Sequence, residues 1–333
     1  MNRPNALGAD WAGSRQLEAR LLTPDEYSSW DELVERTSCG TIFHSSKWLE
    51  LCSRHFNVRP RVYGCWDGQR LIGGCSLFLR SLAPRNLLVI ASGTCPLTAY
   101  GGFVVATDEG LDTKKAETNH HAVVAQLLLS IGGDHLDKRP IVIPNAPGFN
   151  DVRPLTWAGW DSAVRYTYRI ALQKDADLTM GKDIRKKVRL CEREGVQVVR
   201  LHDAELHHRL VALVFARQGL PPPATARFFR DALDTVVGAG IGGQWVARTP
   251  SGNYIASHIR LWDGKRAYNW SAGSDRTHAD GAANAYTYYS VLNDLRSLGF
   301  REMDAAQANT PRFSQFFAGF RPTLVPCFVV SRH

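Results

Sequence analysis

Residues 182–193 combine positive charge with the period of a helix. At about 100° per residue, the cations fall on one stripe and the apolar residues fall on the opposite side. The cations are Lys182, Lys186, Arg189 and Arg193, and the apolar residues are Ile184, Val188 and Cys191. The pattern predicts a helix that packs one face and presents its cations on the other. From the residues alone, an ordinary solvated face is the simpler explanation, and a face that binds a ligand is the alternative.

Two other side chains are of types that take protons. Asp304 ends a predicted strand, where its carboxylate would bind or deprotonate an amine, and a turn or capping aspartate is the alternative. His258 lies in a predicted strand, as a base that points into a cleft or as a hydrogen-bonded core histidine. Tyr286, Tyr288 and Tyr289 begin a predicted helix that would face the same site. We expect at least one of these tyrosines to pack in the core.

The elements that must position these residues are strand-turn-strand units, and the unit occurs twice. Residues 244–274 contain three β-rich runs separated by Pro-Ser-Gly and Asp-Gly turns, and residues 61–79 have the same plan around another Asp-Gly turn. The closing strands match as Ile72-Gly73-Gly74 and Ile255-Ala256-Ser257. Small residues inside a strand indicate a bulge or the close approach of a ligand or another backbone. Two copies of the unit predict two related domains.

Predicted elements follow one order in both halves: a strand, two helices, further strands that include a hairpin, then a helix and a strand. The predicted helices are Pro24–Arg36, Ser46–Phe56, Lys115–Ile131, Thr179–Glu194, Ala204–Gln218, Thr225–Gly238, Ala282–Leu298 and Pro311–Ala318. The predicted strands outside the hairpins are Leu17–Leu22, Leu87–Ala91, Gly102–Val105, Ile141–Pro144, Ala163–Leu172, Val196–Leu201, Phe300–Asp304 and Thr323–Val330. Mixed twisted sheets flanked by helices follow, in the α/β (α+β) class.

The domain boundaries follow from turn chemistry. Residues 1–16 are polar and unpatterned and are expected to form a flexible tail. The first domain is predicted at 17–150, and the Pro-Asn-Ala-Pro-Gly run at 144–148 is the predicted linker. The second domain is predicted at 151–333.

Composition excludes several classes of protein. A chain of 333 residues with 44% hydrophobic content can bury two medium-sized cores without disulfides. No apolar run reaches the ~18 to 20 residues that cross a bilayer, and the first residues lack the apolar centre of a signal peptide, so we expect a cytoplasmic protein without membrane contact. The seven cysteines are scattered and predict buried thiols rather than a metal site. A net charge of +8 favours a polyanionic partner such as tRNA, a nucleotide or coenzyme A.

Several short runs resemble the FemABX-like branch of the GNAT superfamily. These runs, besides the repeated strand-turn-strand unit, are Thr41–Leu49, Leu97–Gly102, Asp183–Gly195, Gly299–Asp304 and Gln315–Phe320. The resemblance spans residues 17 to 330 and implies two tandem GNAT-like domains that act as one acyltransferase. It also implies that the acyl group commonly comes from an aminoacyl-tRNA.

The resemblance implies site residues in both halves. A basic start to the helix at 182–193 is associated in this family with phosphate-bearing substrates, which suggests Arg185, Lys186 and Arg189 as phosphate contacts. In the first half, Tyr100-Gly101, with Thr98 beside them, resemble the substrate-side pattern of the family. A strand entered through a turn is the alternative for that run. His44 and Trp48 are also similar to the family, but packing is the simpler explanation for such a pair.

Two departures from the expected patterns bear on the donor and on the chemistry. A coenzyme A loop of the GNAT type, (Arg/Gln)-x-x-Gly-x-(Gly/Ala), is sought at 273–282, where the spacing from Arg276 to Gly281 does not match. The family often has Phe-Lys-x-x-Phe-Gly near the C-terminus, and Phe317 aligns with its lysine, which is associated with stabilising the tetrahedral intermediate. Arg321, Arg312, backbone N–H groups or a tRNA ribose hydroxyl would have to take that role.

The sequence therefore predicts an amide-forming acyltransferase that needs no cofactor. It would move an aminoacyl group from aminoacyl-tRNA to the amine of a peptide or small metabolite, as in natural-product biosynthesis. An α-amine has a pKa of roughly 7.7 to 8, so the enzyme must chiefly supply positioning and donors for the developing oxyanion. The alternatives are an acyl-CoA-dependent N-acyltransferase with acetyl-CoA or another acyl-CoA as donor, and a non-catalytic binding protein of the same fold.

Overall fold

The computed structural model describes residues 16–82, 87–91, 95–106, 112–134, 140–173, 178–276 and 282–333. The chain divides into two compact units. Unit 1 comprises Met1–Arg165 together with Pro326–His333, and unit 2 comprises Tyr166–Val325.

Strands and helices alternate along the whole chain. The strands are β1 Leu17–Leu21, β2 Val58–Asp67, β3 Arg70–Leu82, β4 Leu87–Ala91, β5 Gly102–Val105, β6 Ile141–Pro144, β7 Asp161–Ala171, β8 Gln197–Leu201, β9 Gly242–Arg248, β10 Tyr254–Trp262, β11 Ala267–Ser274, β12 Glu302–Asp304 and β13 Thr323–Arg332. The helices are α1 Tyr27–Arg36, α2 Ser46–His55, α3 Thr113–Gly133, α4 Arg153–Trp157, α5 Lys182–Arg193, α6 Ala204–Ala216, α7 Ala226–Gly238, α8 Ala282–Ser297 and α9 Pro311–Ala318.

Unit 1 is built on a sheet in the order β1-β2-β3-β4-β6, with β5 paired to β3. The end of β13 adds a strand to this sheet, because residues 329–332 pair antiparallel with residues 141–144 of β6. Helices α1 and α3 pack against β3. Gly74 makes this packing possible, since a Cβ atom there would lie 2.5 Å from Trp30 Cζ3 and 2.6 Å from the Tyr63 carbonyl oxygen. The small residues of β3 therefore allow the close packing of helices, and not the approach of a ligand.

Unit 2 is built on the strand order β7-β12-β11-β10-β9-β8. Only β11 and β12 are parallel neighbours in this series, and the remaining printed pairings among these strands are antiparallel. His207 of α6 bonds to Ser257 of β10, whereas Asn284 of α8 bonds to the next residue, His258. Because successive strand residues point to opposite faces, α6 and α8 cover opposite faces of the sheet.

The two units share one order of elements. Unit 1 runs β1-α1-α2, then the hairpin β2-β3, then β4, and then β5-α3-β6. After β7 and α5, unit 2 repeats this order as β8-α6-α7, the hairpin β9-β10 and β11-α8-β12, without a counterpart of β4. The matching triplets lie in equivalent strands, with Ile72 in β3 and Ile255 in β10. The predicted tandem arrangement of GNAT-like topology is therefore confirmed.

Most predicted elements are present with ends shifted by one to three residues. Helix α4, Arg153–Trp157, was not predicted, because five residues behind a proline carry too little periodic pattern. The unit boundary at Arg165 also lies beyond the predicted boundary at residue 150, and the last strand belongs partly to unit 1. Long-range pairing of β13 with β6 causes this difference, and no local signal announces it. Among the described residues, no helix is both long and apolar enough to cross a membrane.

Candidate functional site

The parallel strands β11 and β12 of unit 2 separate soon after they meet. They pair only through Ala267 with Met303 and Tyr268 with Asp304. Two residues further along, Trp270 is the extra residue of a β-bulge, because the pairing of β10 with β11 shifts register between Ile259 and Arg260. A bulge bends and twists its strand. In the described part of the chain, no strand pairs with residues 271–274 on the edge of β11 that faces away from β10.

At the equivalent place in unit 1, the outer edge of β5 also lacks a strand among the described residues, but a side chain bonds its backbone. Gly101, directly before β5, and Asn145, directly after β6, form a parallel bridge. The Asn145 side chain fills the gap: Oδ1 accepts from the Phe103 N–H at 3.1 Å, and Nδ2 donates to the Phe328 carbonyl at 3.2 Å. A backbone donor of β5 is thus bonded by a side chain in unit 1. In unit 2, Asn269 Nδ2 instead donates to the Ala305 carbonyl at 3.2 Å, a bond that occupies an acceptor and not a backbone donor. This contrast makes the open edge of β11 the candidate acyl-transfer site.

A buried cation lies beneath this edge. Arg260 of β10 is fully buried, and its Nη1 donates to the carbonyl groups of Ile259 at 3.0 Å and Ser271 at 3.4 Å. The guanidinium carbon lies 5.0 Å from the centre of the Tyr288 ring. No described carboxylate forms an ion pair with Arg260, and burial lowers its pKa to about 10. A buried charge without a counter-ion favours negative charge nearby.

His258 is held as a neutral core residue. Its Nδ1 lies 2.9 Å from Arg260 Nη2, which can only donate, so Nδ1 is the acceptor. Its Nε2 therefore carries the proton and donates to Asn284 Oδ1 at 2.8 Å. Burial and the neighbouring Arg260 charge keep the pKa of His258 well below its usual value. Both nitrogens are occupied, so the geometry fits the core histidine and not the predicted base.

The hydrogen bonds of Asp304 also indicate a structural role. It is fully buried at the end of β12. Its Oδ1 accepts from the Thr167 hydroxyl at 2.6 Å and from the Ala306 N–H at 2.7 Å, where the chain turns through a positive φ of 57°. These bonds are those of a turn-capping aspartate, the alternative to the predicted amine-binding carboxylate.

The predicted aromatic and C-terminal residues separate into core and surface. Tyr288 is buried against Phe316, Phe317 and Phe320, whereas Tyr286 and Tyr289 are only partly buried. Phe317 fills this core at 2% exposure, so its position does not present a group to a substrate. Arg321 is exposed, with a positive φ of 47°, and lines a cavity of about 130 Å³ with Ile170 and Leu178.

Three arginines meet at the open end of β11. Arg217, at the end of α6, donates from Nη1 and Nη2 to the Ser274 carbonyl, at 3.2 Å each. Burial and repulsion from Arg276 and Arg312 lower the pKa of Arg217, and Asp275 opposes this shift. We call Arg217, Arg276 and Arg312 the arginine group. Its three cations near one carboxylate favour an anionic ligand. Residues 277–281 of the predicted coenzyme A loop lie outside the described residues.

Helix α5 has the predicted two faces. Ile184, Val188 and Cys191 are buried, while Arg185, Lys186 and Arg189 are exposed. None of these three cations forms an ion pair with another described residue. The N–H of Gly181, before the first turn, donates to the Gly319 carbonyl at 2.8 Å, which fixes the start of the helix.

The predicted substrate-side residues of unit 1 are engaged with their own unit. Thr98 Oγ1 accepts from Trp48 Nε1 at 3.1 Å and lies 3.6 Å from Cys52 Sγ. Tyr100 is buried against Phe43, and the Gly101 N–H donates to the Pro144 carbonyl at 3.0 Å. The run thus forms a strand entry held by hydrogen bonds, as in the alternative to ligand contact.

Comparison with known proteins identifies the second half of the chain. Residues 180–311, all within unit 2, match the family model of an acetyltransferase (GNAT) domain. The crystal structure of FemX aligns with a TM-score of 0.72 at 13% identity, over 94% of this chain and 96% of FemX. Unit 2 therefore contains a GNAT acetyltransferase-type domain, and the chain as a whole shares the fold of FemX.

Two further solved structures share this GNAT fold. A tandem GNAT protein from the clavulanic acid biosynthesis pathway aligns with a TM-score of 0.53 at 14% identity, over 95% of this chain and 98% of that protein. L-PGS from Bacillus licheniformis aligns with a TM-score of 0.58 at 10% identity, over 94% and 93% of the two chains. No curated protein matches the sequence. The resemblance to the FemABX-like branch is confirmed at the level of the fold, and the match of residues 180–311 to an acetyltransferase (GNAT) domain supports the acyltransferase class.

The sequence did not predict Arg260, Arg217 or the open edge of β11. An arginine inside an apolar strand, as in Ile259-Arg260-Leu261, is the one local signal that was available. No group of three or more histidine, cysteine or acidic residues that could hold a metal occurs among the described residues. All seven cysteines are buried and free.

Proposed function

We propose that this protein transfers an aminoacyl group from aminoacyl-tRNA to the amine of a peptide or small metabolite, and that unit 2 carries the chemistry. The observation that supports this most directly is the open edge of β11 beside the arginine group. An acyl ester can lie along the edge, where backbone N–H groups are available as donors, while the arginines bind phosphates of its carrier.

The reaction forms one bond and breaks another. The amine nitrogen attacks the carbonyl carbon of the ester, an oxyanion develops, and the C–O bond to the tRNA ribose breaks. The proton lost by the nitrogen ends on the departing ribose hydroxyl. Donors at the β11 edge favour the oxyanion, and so does the buried charge of Arg260, which bonds the Ser271 carbonyl of the same strand. Correct positioning of the amine against the ester carbonyl supplies much of the remaining rate acceleration.

The charge of unit 2 favours a nucleic-acid carrier, because helix α5 adds exposed cations to those of the arginine group, which is more positive charge than a small donor needs. An aminoacyl group as the group transferred is supported by a neighbour of the same fold. A domain of a putative lysylphosphatidylglycerol synthetase from Agrobacterium fabrum, whose name describes an amino acid joined to a lipid, aligns with a TM-score of 0.57. An acyl-CoA donor is the alternative, since the arginine group would also bind a pyrophosphate.

Transfer assays separate these donors. Purified protein is incubated with tRNA charged with radiolabelled amino acids and a mixture of peptide and small amines, with and without prior RNase treatment. We expect label in amide products that hydroxide does not release, and none after RNase treatment. Transfer from acetyl-CoA that RNase leaves intact would replace this proposal with the acyl-CoA one. An absence of transfer from either donor would indicate a binding protein.

A further inference from the structure

A pocket of about 430 Å³ opens on unit 2 between the β8-β9 edge of the sheet and the C-terminal half of α8. Its lining is polar apart from Val198 and Trp245. The residues are Val198, Arg200, Trp245, Ser290, Asn293, Asp294 and Ser297. The candidate acyl-transfer site uses none of them, and we call this feature the Arg200 pocket.

Arg200 is fixed as a flat platform in this pocket. Its guanidinium carbon lies 4.4 Å from the centre of the buried Trp245 ring, so one face of the guanidinium is stacked on the indole. Its Nε donates to Asp294 Oδ2 at 2.9 Å, and Trp245 Nε1 donates to the same oxygen at 2.6 Å. The side chain is still 46% exposed. Among the described residues, no hydrogen bond engages Nη1 or Nη2.

The α8 side of the pocket presents acceptors. The hydroxyls of Ser290 and Ser297 donate to the Tyr286 and Asn293 carbonyls, which leaves their lone pairs outward. Asn293 uses its Nδ2 on the Tyr289 carbonyl, which leaves Oδ1 as an acceptor. A flat ligand with amino donors, stacked on a guanidinium, fits this combination. Unpaired RNA bases have that chemistry, and guanidinium planes stack on them.

The Arg200 pocket is remote from the open edge of β11 and close to the cationic helix. Asp294 lies about 18 Å along α8 from Ala282, by the rise of an α-helix. Leu190 of α5, Val198 of the pocket and Tyr286 of α8 pack against one cluster of core residues, so α5 and the pocket adjoin the same part of the core. A carrier that reaches from the open edge of β11 to the Arg200 pocket must be long. The exposed cations of α5 favour a carrier that is also anionic.

We infer that the Arg200 pocket binds an unpaired base of the RNA carrier, stacked on Arg200, while the exposed cations of α5 contact the phosphates. This inference rests on the proposed function, because it takes tRNA as the donor. It adds a contact site outside the acyl-transfer centre and assigns it a chemical class of ligand.

RNA binding measured by fluorescence anisotropy tests the inference. The probes are a hairpin RNA with a short unpaired 3′ tail and the same hairpin with a blunt end. Loss of one stacking partner should weaken binding of the tailed RNA by about tenfold in Arg200→Ala, with little change for the blunt RNA. Arg200→Lys, which keeps the charge and lacks the plane, should show the same loss. Arg248→Ala removes a charge from the neighbouring strand, where Arg248 bonds Gln197 at 3.1 Å, and should bind both RNAs like wild type.

The outcomes separate this inference from the proposed function. Equal weakening for both RNAs, or full retention by Arg200→Lys, would show a simple charge effect and overturn the stacked base. Wild-type binding by Arg200→Ala, together with RNase-sensitive transfer, would overturn the pocket assignment alone. Absence of RNA binding by the wild-type protein would overturn both.

Discussion

His207 is held neutral in the core of unit 2. Its two ring nitrogens lie 2.9 Å from the Ser257 hydroxyl and 2.8 Å from the Ser271 hydroxyl. Burial, followed by the charges of Arg260 and His208, lowers the pKa of His207 to about 3. In the unfolded chain this group has a pKa near ~6.5. Between these two values the unfolded state binds more protons, so acid stabilises it relative to the folded state.

We therefore predict that the free energy of unfolding of unit 2 is constant above pH ~6.5 and falls as the pH drops toward 3. One such histidine contributes up to about 1.4 kcal/mol per pH unit in that range. Urea denaturation of the wild type and His207→Gln at pH 7 and pH 5 measures the effect, and the variant should lose part of the pH dependence. His202→Gln, an exposed histidine beside Asp234, is the control. An identical pH dependence in His207→Gln and the wild type would contradict the buried neutral state.

Sequence reasoning found the residues whose role depends on local pattern. The faces of α5 follow from helical periodicity, so Ile184 and Val188 were placed correctly in the core. His258 and Asp304 were identified as polar residues in strands, but their partners come from α8 and β7, which are distant in sequence. A proton-transfer role and a structural hydrogen bond look the same until such partners are known. The cation beneath the site was missed for the same reason.

At the level of elements, helix packing decides which glycines are required. Gly74 faces Trp30 and the Tyr63 backbone at distances no Cβ tolerates, while a Cβ at Gly133, at the end of α3, meets nothing within 4 Å. We predict that Gly74→Ala lowers the free energy of unfolding of unit 1 by about 1–3 kcal/mol through overpacking. Gly133→Ala should be neutral or slightly stabilising. Urea denaturation compares the two, and equal effects would contradict the close approach of α1 to β3.

Helix α5 should act on donor binding and not on the chemical step. Arg185 and Arg189 are exposed on its cationic face and lie outside the candidate acyl-transfer site. We predict that Arg185→Ala with Arg189→Ala raises the KM for charged tRNA several-fold, leaves kcat near wild type, and reduces the salt dependence of binding. Arg227→Ala, an exposed arginine on α7, is the matched control. Unchanged KM and salt dependence in the double variant would remove α5 from the donor site.

Element order was predictable because hairpin turns and helical periodicity are local signals. The helix predicted over residues 204–218 ends at Ala216, and the strand predicted over 300–304 keeps only its last three residues. The observed ends of helices and strands differ from the predicted ones because capping residues and pairing partners decide where an element stops. The separation of β11 from β12 has no such signal, since it results from a bulge and from a parallel pairing across all of α8.

At the level of the whole molecule, one topology is used twice with different side chains at the same edge. Asn145 occupies the Phe103 backbone donor in unit 1, whereas Asn269 donates to the Ala305 carbonyl in unit 2. The family match over residues 180–311 falls on unit 2. A duplicated fold in which one copy carries the proposed chemistry leaves the other free to serve stability or recognition.

The last residues of the chain, 326–333, belong to unit 1, and their contribution to it can be measured as a free energy of unfolding. Val330 of β13 is fully buried and lies opposite Ile143 of β6, whereas Leu324, earlier in the same strand, is 50% exposed. An amide in place of Val330 loses apolar burial and leaves polar groups without water. We predict that Val330→Asn lowers the free energy of unfolding of unit 1 by about 2–4 kcal/mol, while Leu324→Asn changes it by less than about 0.5 kcal/mol.

Native-state hydrogen exchange locates this effect. In Val330→Asn, amide exchange should accelerate in β6 and β5, where Asn145 links residues 103 and 328, and should stay at the wild-type rate in α8 of unit 2. This follows because residues 326–333 belong to unit 1 although 160 residues of unit 2 precede them in the chain. Equal acceleration in α8 and β6 would mean that the two units unfold as one, and the last strand would then stabilise the entire chain.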